Sequence, residues 1–255
     1  MSHINDYGIV ADLYDTYVPA TDDIDFFVNE AKKCSGQVLE LMAGTGRVSL
    51  PIVQAGVKLT CVDISAELLA VLRDKLAQRN LAADVYQADV CELDLGKQFD
   101  LVIIPFSSFA HLVSMQDQRN ALTRIRQHLT PNGQFICTLG NPAKRRASVD
   151  GTLCLFRKYS RGDGQGTLLL WLLENFDAAD DHVVNTFEFF EEYDAKGMLR
   201  AKRLMELNFR LSTREEFEQL AQLVGFQVLA LYGDYTYSEF REDSSAVMVW
   251  RMGKA

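Results

Sequence analysis

The sequence has few of the residues that small extracellular folds use as cross-links. Its 255 residues contain five cysteines, which lie far apart and form no Cys-x-x-Cys pair. Neither a disulfide framework nor a zinc site is therefore indicated. No apolar run approaches the roughly 20 residues that cross a bilayer. The N-terminus lacks the basic stretch of a signal peptide, so we expect a cytoplasmic protein with no membrane partner.

Clusters of basic residues are scarce as well. The net charge is −9, and the densest basic stretch is Lys144-Arg145-Arg146. Nucleic-acid-binding proteins use clustered Lys and Arg to neutralise phosphates, so DNA and RNA are not expected as partners. The chain is instead 48% hydrophobic and 24% charged, which is typical of a globular protein. We expect one domain spanning residues 1–255.

Short apolar runs alternate with amphipathic stretches over the first two-thirds of the chain. This alternation predicts βαβ units and a mostly parallel sheet of seven strands, with helices on both faces. The helix between the second and third strands is predicted to begin after Ser65 and to bury Leu68, Leu69, Leu72 and Leu76. The predicted strands are 37–41, 57–62, 84–87, 101–105, 134–139, 226–231 and 246–251, the fifth following the turn at 131–133.

The pattern changes between residues 142 and 209. Strand-like runs at 167–174, 183–192 and 199–209 are separated by short turns, such as the one at 194–197. We expect an antiparallel β meander inserted into the α/β domain. The meander is either a lid over a substrate pocket or a purely structural element. After the meander, Ser212 and Glu215 predict a capping box at the start of a helix.

The strongest motif spans residues 38–47, which read VLELMAGTGR. A strand that carries Glu40 leads into the turn Gly44-Thr45-Gly46, where glycines permit a tight turn and a close approach to a ligand. Asp63 follows at the end of the second strand. A carboxylate there can accept hydrogen bonds from the ribose hydroxyls of a nucleoside.

Two ligands fit such a loop. A dinucleotide-binding loop has the pattern G-x-G-x-x-G, but Ser49 occupies the third glycine position here. Glu40 is unfavourable beside a pyrophosphate, whereas it suits a ligand with an ammonium group and no phosphates. The motif therefore favours S-adenosylmethionine over a dinucleotide.

The chain resembles the class I S-adenosylmethionine-dependent methyltransferases, in particular the branch that methylates N or O atoms of small molecules. The resemblance is carried by VLELMAGTGR, LTCVDIS, QADV, FDLVIIPFSSFAHL and LSTREEFEQLAQLVGF. It implies a Rossmann-like fold, S-adenosylmethionine as the methyl donor and S-adenosylhomocysteine as the product. The loop departs from the common pattern at Met42-Ala43, where the first glycine is missing.

The resemblance also implies roles for individual residues. Asp63 would hold the ribose hydroxyls, Ile64 would pack on the adenine and Asp89 would accept from the adenine amino group. His111 and Tyr14 are the candidates for a catalytic base, and no metal site is indicated. The residues implied to bind the donor are Tyr14, Glu40, Ala43, Gly44, Thr45, Gly46, Asp63, Ile64, Asp89, Val90, Pro105 and Phe106.

Several alternatives stay open. Glu40 can serve as a strand-end ion pair and Asp63 as a helix cap, and Tyr7 and Tyr17 are rivals of Tyr14. An NAD-type oxidoreductase and a non-catalytic protein that binds the donor are the competing functions. The expected partner is a small-molecule acceptor, and a homodimer is compatible with the sequence.

Overall fold

The computed structural model describes residues 5–160 and 166–255. Residues 1–4 of the expected domain and residues 161–165 of the expected insertion lie outside the described residues. The strands of the main sheet are β1 (Val38–Leu41), β2 (Leu59–Asp63), β3 (Asp84–Gln87), β4 (Phe99–Ile104), β5 (Leu129–Gly140), β10 (Phe226–Tyr232) and β11 (Val247–Lys254). The helices are α1 (Tyr14–Tyr17), α2 (Ile24–Lys32), α3 (Ser49–Gln54), α4 (Ala66–Gln78), α5 (Met115–His128), α6 (Pro142–Arg146) and α7 (Arg214–Leu223).

The main sheet has the strand order β10-β11-β5-β4-β1-β2-β3. Its strands are parallel except for β11, which runs antiparallel to both β5 and β10. Hydrophobic cores lie on both faces, one around Phe135 and Trp250 and the other around Phe27 and Leu72. All four residues of β1 are buried, as expected for a parallel strand covered by helices on both sides. The predicted fold class is confirmed.

Helix α4 follows the sequence pattern closely. Ser65 Oγ accepts a hydrogen bond from the Leu68 amide at 3.2 Å, which makes Ser65 the N-cap. Leu68, Leu69, Leu72 and Leu76 are buried, so the predicted apolar face packs on the sheet. No helix in residues 5–160 or 166–255 combines the length and apolarity needed to cross a membrane.

A second, antiparallel sheet lies between β5 and α7 in the sequence. It consists of β6 (Cys154–Ser160), β7 (Gly166–Phe176), β8 (Val183–Asp194) and β9 (Leu199–Arg210), in that spatial order. The predicted meander is thus confirmed, and it has one more strand than expected. In β6 only Tyr159 is buried, so this strand lacks the alternation by which the sequence marks the other three.

The start of β5 differs from the prediction. The strand begins at Leu129, which pairs with Phe99, while Gln134 pairs with Leu101. Residues 130–133 therefore oppose the single residue Asp100. The turn signal at Pro131-Asn132-Gly133 produces a bulge within the strand rather than a turn before it.

The predicted capping box was wrong by one residue. Thr213, not Ser212, accepts from the Glu216 amide at 3.2 Å, and Glu216 Oε2 accepts from the Thr213 amide at 2.8 Å. Both pairs have the Ser/Thr-x-x-Glu spacing, so the motif alone does not separate them. Ser212 is buried, whereas Thr213 takes the extended backbone of an N-cap.

We expect Thr213→Ala to lower the free energy of unfolding by about 1 kcal/mol, because it leaves an amide of the first helical turn without its acceptor. Urea denaturation followed by circular dichroism measures the change. Ser212→Ala is the matched control and should have a smaller effect. A larger loss in Ser212→Ala than in Thr213→Ala would contradict the assigned cap.

Candidate active site

A cavity of about 1180 Å³ separates the carboxyl edge of the main sheet from the second sheet. Its floor is formed by the loops that follow β1, β2 and β4. One wall is the N-terminal segment, defined here as residues 5–23, and the roof is the second sheet. The floor lies where the strand order reverses between β1 and β4, the place at which open α/β sheets bind ligands.

The two glycines of the loop after β1 have different structural roles. Both have a left-handed backbone, with φ of +57° at Gly44 and +84° at Gly46. A Cβ atom on Gly46 would lie 2.3 Å from Leu72 Cδ1, so this glycine lets the loop pack on α4. Among the described residues, a Cβ on Gly44 meets no atom within 4 Å. Gly44 is therefore the position where a side chain would occupy open space.

Asp63 links this loop to the next one. Its Oδ2 accepts a hydrogen bond from the Gly44 amide at 2.8 Å, and its Oδ1 accepts from the Ser65 amide at 2.9 Å. The side chain is 8% exposed and lines the cavity, and burial raises its pKa. Ile64 also lines the cavity and is 63% exposed, which is unusual for an apolar side chain.

Glu40 lies beneath the loop rather than in the cavity. It is 2% exposed, and its Oε2 accepts a hydrogen bond from Ser49 Oγ at 2.6 Å. Burial raises the pKa of Glu40 from 4.5 to about 8. A carboxyl group in this position is therefore largely protonated at neutral pH.

The cavity brings together five of the residues expected at the site: Tyr14, Asp63, Ile64, Phe106 and His111. The expected site residues that do not line it are Glu40, Ala43, Gly44, Thr45, Gly46, Asp89, Val90 and Pro105. Asp89 is exposed, and its Oδ1 accepts from the Cys91 amide at 2.8 Å.

The N-terminal segment is fastened to the glycine loop by two polar clusters. The guanidinium of Arg47 makes two hydrogen bonds to the buried carboxylate of Asp23 and packs over the Phe106 ring, 4.6 Å from its centroid. Thr45 Oγ1 donates to Asp15 Oδ1 at 2.7 Å, and Lys75 pairs with the same carboxylate. These contacts hold α1 over the loop.

His111 and Tyr7 form a hydrogen-bonded pair in the cavity wall. The Nδ1 atom of His111 lies 3.1 Å from the Asn208 carbonyl oxygen, which can only accept, so Nδ1 carries the proton. The Nε2 atom, 2.9 Å from Tyr7 Oη, therefore accepts the tyrosine proton. Burial lowers the pKa of His111 below 6.5, so the imidazole is neutral at pH 7. It is thus suited to take up a proton.

The turns at the floor hold uncommon backbone conformations. Met42, Phe106 and Ser107 have φ between +56° and +59°, and all three line the cavity. Left-handed conformations are costly for side chains other than glycine and are enriched at functional sites.

Two cavity residues were missed by the sequence analysis. Tyr7 appeared there only as a rival of Tyr14, and its contact with His111 spans about a hundred residues of sequence. Glu188 lines the roof, and its Oε2 is buried without a hydrogen-bond partner among the described residues. The sequence Phe187-Glu188-Phe189-Phe190 could have predicted this position of Glu188. Residues two apart in a strand lie on the same face of the sheet, so Glu188 is on the face that buries Phe190.

The raised pKa of Glu40 has a measurable effect on stability. Between pH 4.5 and 8 the folded state binds more protons than the unfolded state, so stability falls as the pH rises through this range. The expected slope is at most about 1.4 kcal/mol per pH unit. Glu40→Gln removes this titration, so its unfolding free energy should change less than that of the wild type between pH 6 and 8.5.

Chemical denaturation at a series of pH values tests this expectation. Glu92→Gln, at an exposed carboxylate, serves as the control and should keep the wild-type slope. Identical slopes for wild type and Glu40→Gln would show that Glu40 is ionised in the folded protein.

Comparison with known proteins agrees with this geometry. A family model described as a methyltransferase domain matches residues 38–133, which run from β1 to the bulge of β5. The chain is 27% identical to glycine/sarcosine N-methyltransferase from Halorhodospira halochloris, over 91% of this chain and 82% of that one. It is 26% identical to dTDP-3-amino-3,6-dideoxy-alpha-D-glucopyranose N,N-dimethyltransferase from Streptomyces fradiae, over 63% and 68% of the two chains.

A solved structure shares the complete fold. An S-adenosylmethionine-dependent methyltransferase from Clostridium acetobutylicum superposes with a TM-score of 0.82 at 18% identity, covering 98% of this chain and 100% of that one. The family model matches the segment that contains the glycine loop and Asp63, and the relatives extend the match over most of the chain. Residues 38–133 are therefore a methyltransferase domain, and the enzyme uses S-adenosylmethionine as its methyl donor.

Proposed function

We propose that the enzyme methylates an amine nitrogen of a small molecule. The observation that carries this proposal is the neutral His111–Tyr7 pair in the wall of a cavity rich in carboxylates. An amine is protonated at neutral pH, so it must lose a proton before its nitrogen can attack. The two relatives described above are both named as N-methyltransferases, which supports a nitrogen acceptor.

The residues at the floor of the cavity fit the donor. Gly44 does not itself line the cavity, but its amide donates to the cavity residue Asp63, and the open space beside it leaves room for a ligand against the backbone. Asp63 faces the cavity and has lone pairs left for ribose hydroxyls, while the exposed face of Ile64 offers an apolar surface to a base. The donor supplies a methyl group bound to a positively charged sulfur.

The protein's own task is then to align the acceptor and to remove its proton. We assign Tyr7 Oη as the group that accepts the proton of the acceptor nitrogen while it passes its own proton to His111 Nε2. The Asn208 carbonyl accepts from Nδ1 and so stabilises the imidazolium that forms. Tyr14 lines the same cavity, and its ring meets that of Tyr7 edge to face at 5.9 Å. We assign Tyr14 a positioning role.

The proposal includes two further points. The second sheet acts as a lid that excludes water from the methyl group, which is supported by its place as the roof of the cavity. The enzyme works in the cytoplasm, which is supported by its cysteines, since all five are free thiols.

Gly44→Val should abolish binding of S-adenosylmethionine and S-adenosylhomocysteine, which we expect to bind the wild type in the micromolar range. A β-branched side chain would fill the open space and strain the left-handed backbone. Calorimetry measures the affinities. Gly197→Val is the control, since Gly197 has φ of +79° and a Cβ there also meets no described atom within 4 Å, but it lies in the exposed β8–β9 turn. Unchanged affinity in a folded Gly44→Val protein would remove the loop from the donor site.

Methyl transfer to a panel of primary and secondary amines, including glycine and sarcosine, tests the acceptor class. On an active amine, kcat of the wild type should fall only as the pH drops through the lowered pKa of His111. In Tyr7→Phe and His111→Gln, kcat should fall by roughly 100-fold at pH 7 and keep rising with pH, because only the free amine reacts.

His182→Gln, at a histidine that does not line the cavity, is the control and should keep the wild-type profile. Methylation of alcohols but of no amine in the panel would refute the proposed acceptor. An unchanged pH profile in Tyr7→Phe would refute the assigned proton path.

A further inference from the structure

We propose that Glu188, together with the tyrosines around it, binds the ammonium group of the acceptor in the roof of the cavity. This inference rests on the proposed methylation of an amine and names the group that recognises it. Sequence and comparisons assign no role to Glu188.

Glu188 lies in an apolar environment that offers its Oε2 atom no partner among the described residues, so a bound cation would stabilise its carboxylate. On β8 it pairs with Leu172 of β7 and Met205 of β9, so its cross-strand neighbours are both apolar. Its Oε2 is buried and has no hydrogen-bond partner in residues 5–160 and 166–255. Burial, and then the nearby Glu174, raise the pKa of Glu188 to about 7, so its ionised form is costly without a partner and a bound cation would favour it. Groups perturbed in this way are enriched at functional sites.

The cavity also holds a second buried group without a partner. Tyr17 Oη, on the N-terminal segment, has no hydrogen-bond partner among the described residues. Tyr17 packs edge to face on Phe190, with ring centroids 4.9 Å apart, and Phe190 lies two residues from Glu188 on the same face of β8. The charge of Glu188 also raises the pKa of Tyr17, after the larger effect of burial. An ammonium group has several N–H donors and can satisfy both oxygen atoms at once.

Aromatic rings surround the same space. Tyr14 meets Tyr17 edge to face at 5.4 Å and Tyr7 at 5.9 Å, and Tyr159 of β6 completes the set on the roof. The charge of Glu188 contributes to raising the pKa of each of these tyrosines, after the larger effect of burial. Tyrosine rings stabilise cations through their negative faces, and a carboxylate beside them adds direct charge pairing.

The other charges in the cavity favour the same ligand. Five carboxylates and two guanidinium groups line it. One of the guanidinium groups, that of Arg145, is already paired with Glu174. The other, Arg157, is exposed on β6 and lies over the Phe156 ring. An excess of negative charge remains, and it attracts a cationic acceptor.

Two probes of nearly equal shape test the inference, namely cyclohexylamine, which is a cation at pH 7.5, and cyclohexanol, which is neutral. Their binding to the full chain in the presence of S-adenosylhomocysteine is measured by ligand-observed NMR titration. Glu188→Gln should weaken the binding of cyclohexylamine by about tenfold or more and leave that of cyclohexanol unchanged. Glu191→Gln lies on the same strand, pairs with Lys202 instead of lining the cavity, and should match the wild type.

A thermal melt at pH 8 separates recognition from a structural role. Removing an unpartnered buried carboxylate should raise the Tm of Glu188→Gln or leave it unchanged, while binding of the cation is lost. The inference is overturned if the wild type does not bind cyclohexylamine, or if Glu188→Gln binds it equally well. If Glu188 is needed for cyclohexylamine binding but no amine is methylated, the ammonium site stands and the proposed function fails.

Discussion

The ion pair between Arg47 and Asp23 connects three of the segments that form the cavity. Asp23 is 1% exposed, and a carboxylate so deeply buried is stable only while its guanidinium partner stays in place. The guanidinium of Arg47 also packs over the face of the Phe106 ring, and it donates a hydrogen bond to the Ala20 carbonyl oxygen at 2.9 Å. One side chain thus joins the glycine loop, the turn after β4 and the end of the N-terminal segment.

The N-terminal segment is held from above as well. Val10, Leu13 and Tyr17 pack into a core with Phe190 and other residues of the second sheet. Arg203 of β9 pairs with Asp12. Because the same short segment is bound to both sheets, it fixes the distance between the floor and the roof. The hydrogen-bonded pair proposed as the proton acceptor depends on this arrangement, since Tyr7 comes from the segment and His111 from the turn after β4.

Local features of the sequence predicted the main sheet, α4 and three strands of the meander, because periodicity and capping act over a few residues. They did not distinguish Thr213 from Ser212, since both satisfy the same spacing and only burial decides between them. They also missed β6, whose residues are mostly exposed. The partners of Tyr7 and Glu188 come from distant parts of the chain, so no local pattern could reveal what surrounds them. The glycine loop could be recognised in the sequence because a tight turn after a strand requires glycines a few residues apart, and both Gly44 and Gly46 have a left-handed backbone.

The floor and the roof of the cavity come from separate segments of the sequence, so they can change independently in evolution. Among the described residues, neither core that flanks the main sheet contains a fully buried side chain from β6–β9. Changes on the cavity face of the roof therefore cost the main sheet little packing energy. The segment matched by the family model ends at residue 133, before the roof begins. With the acceptor site proposed in the roof, a lineage can exchange one acceptor for another through substitutions there while it keeps the segment that matches the methyltransferase domain unaltered.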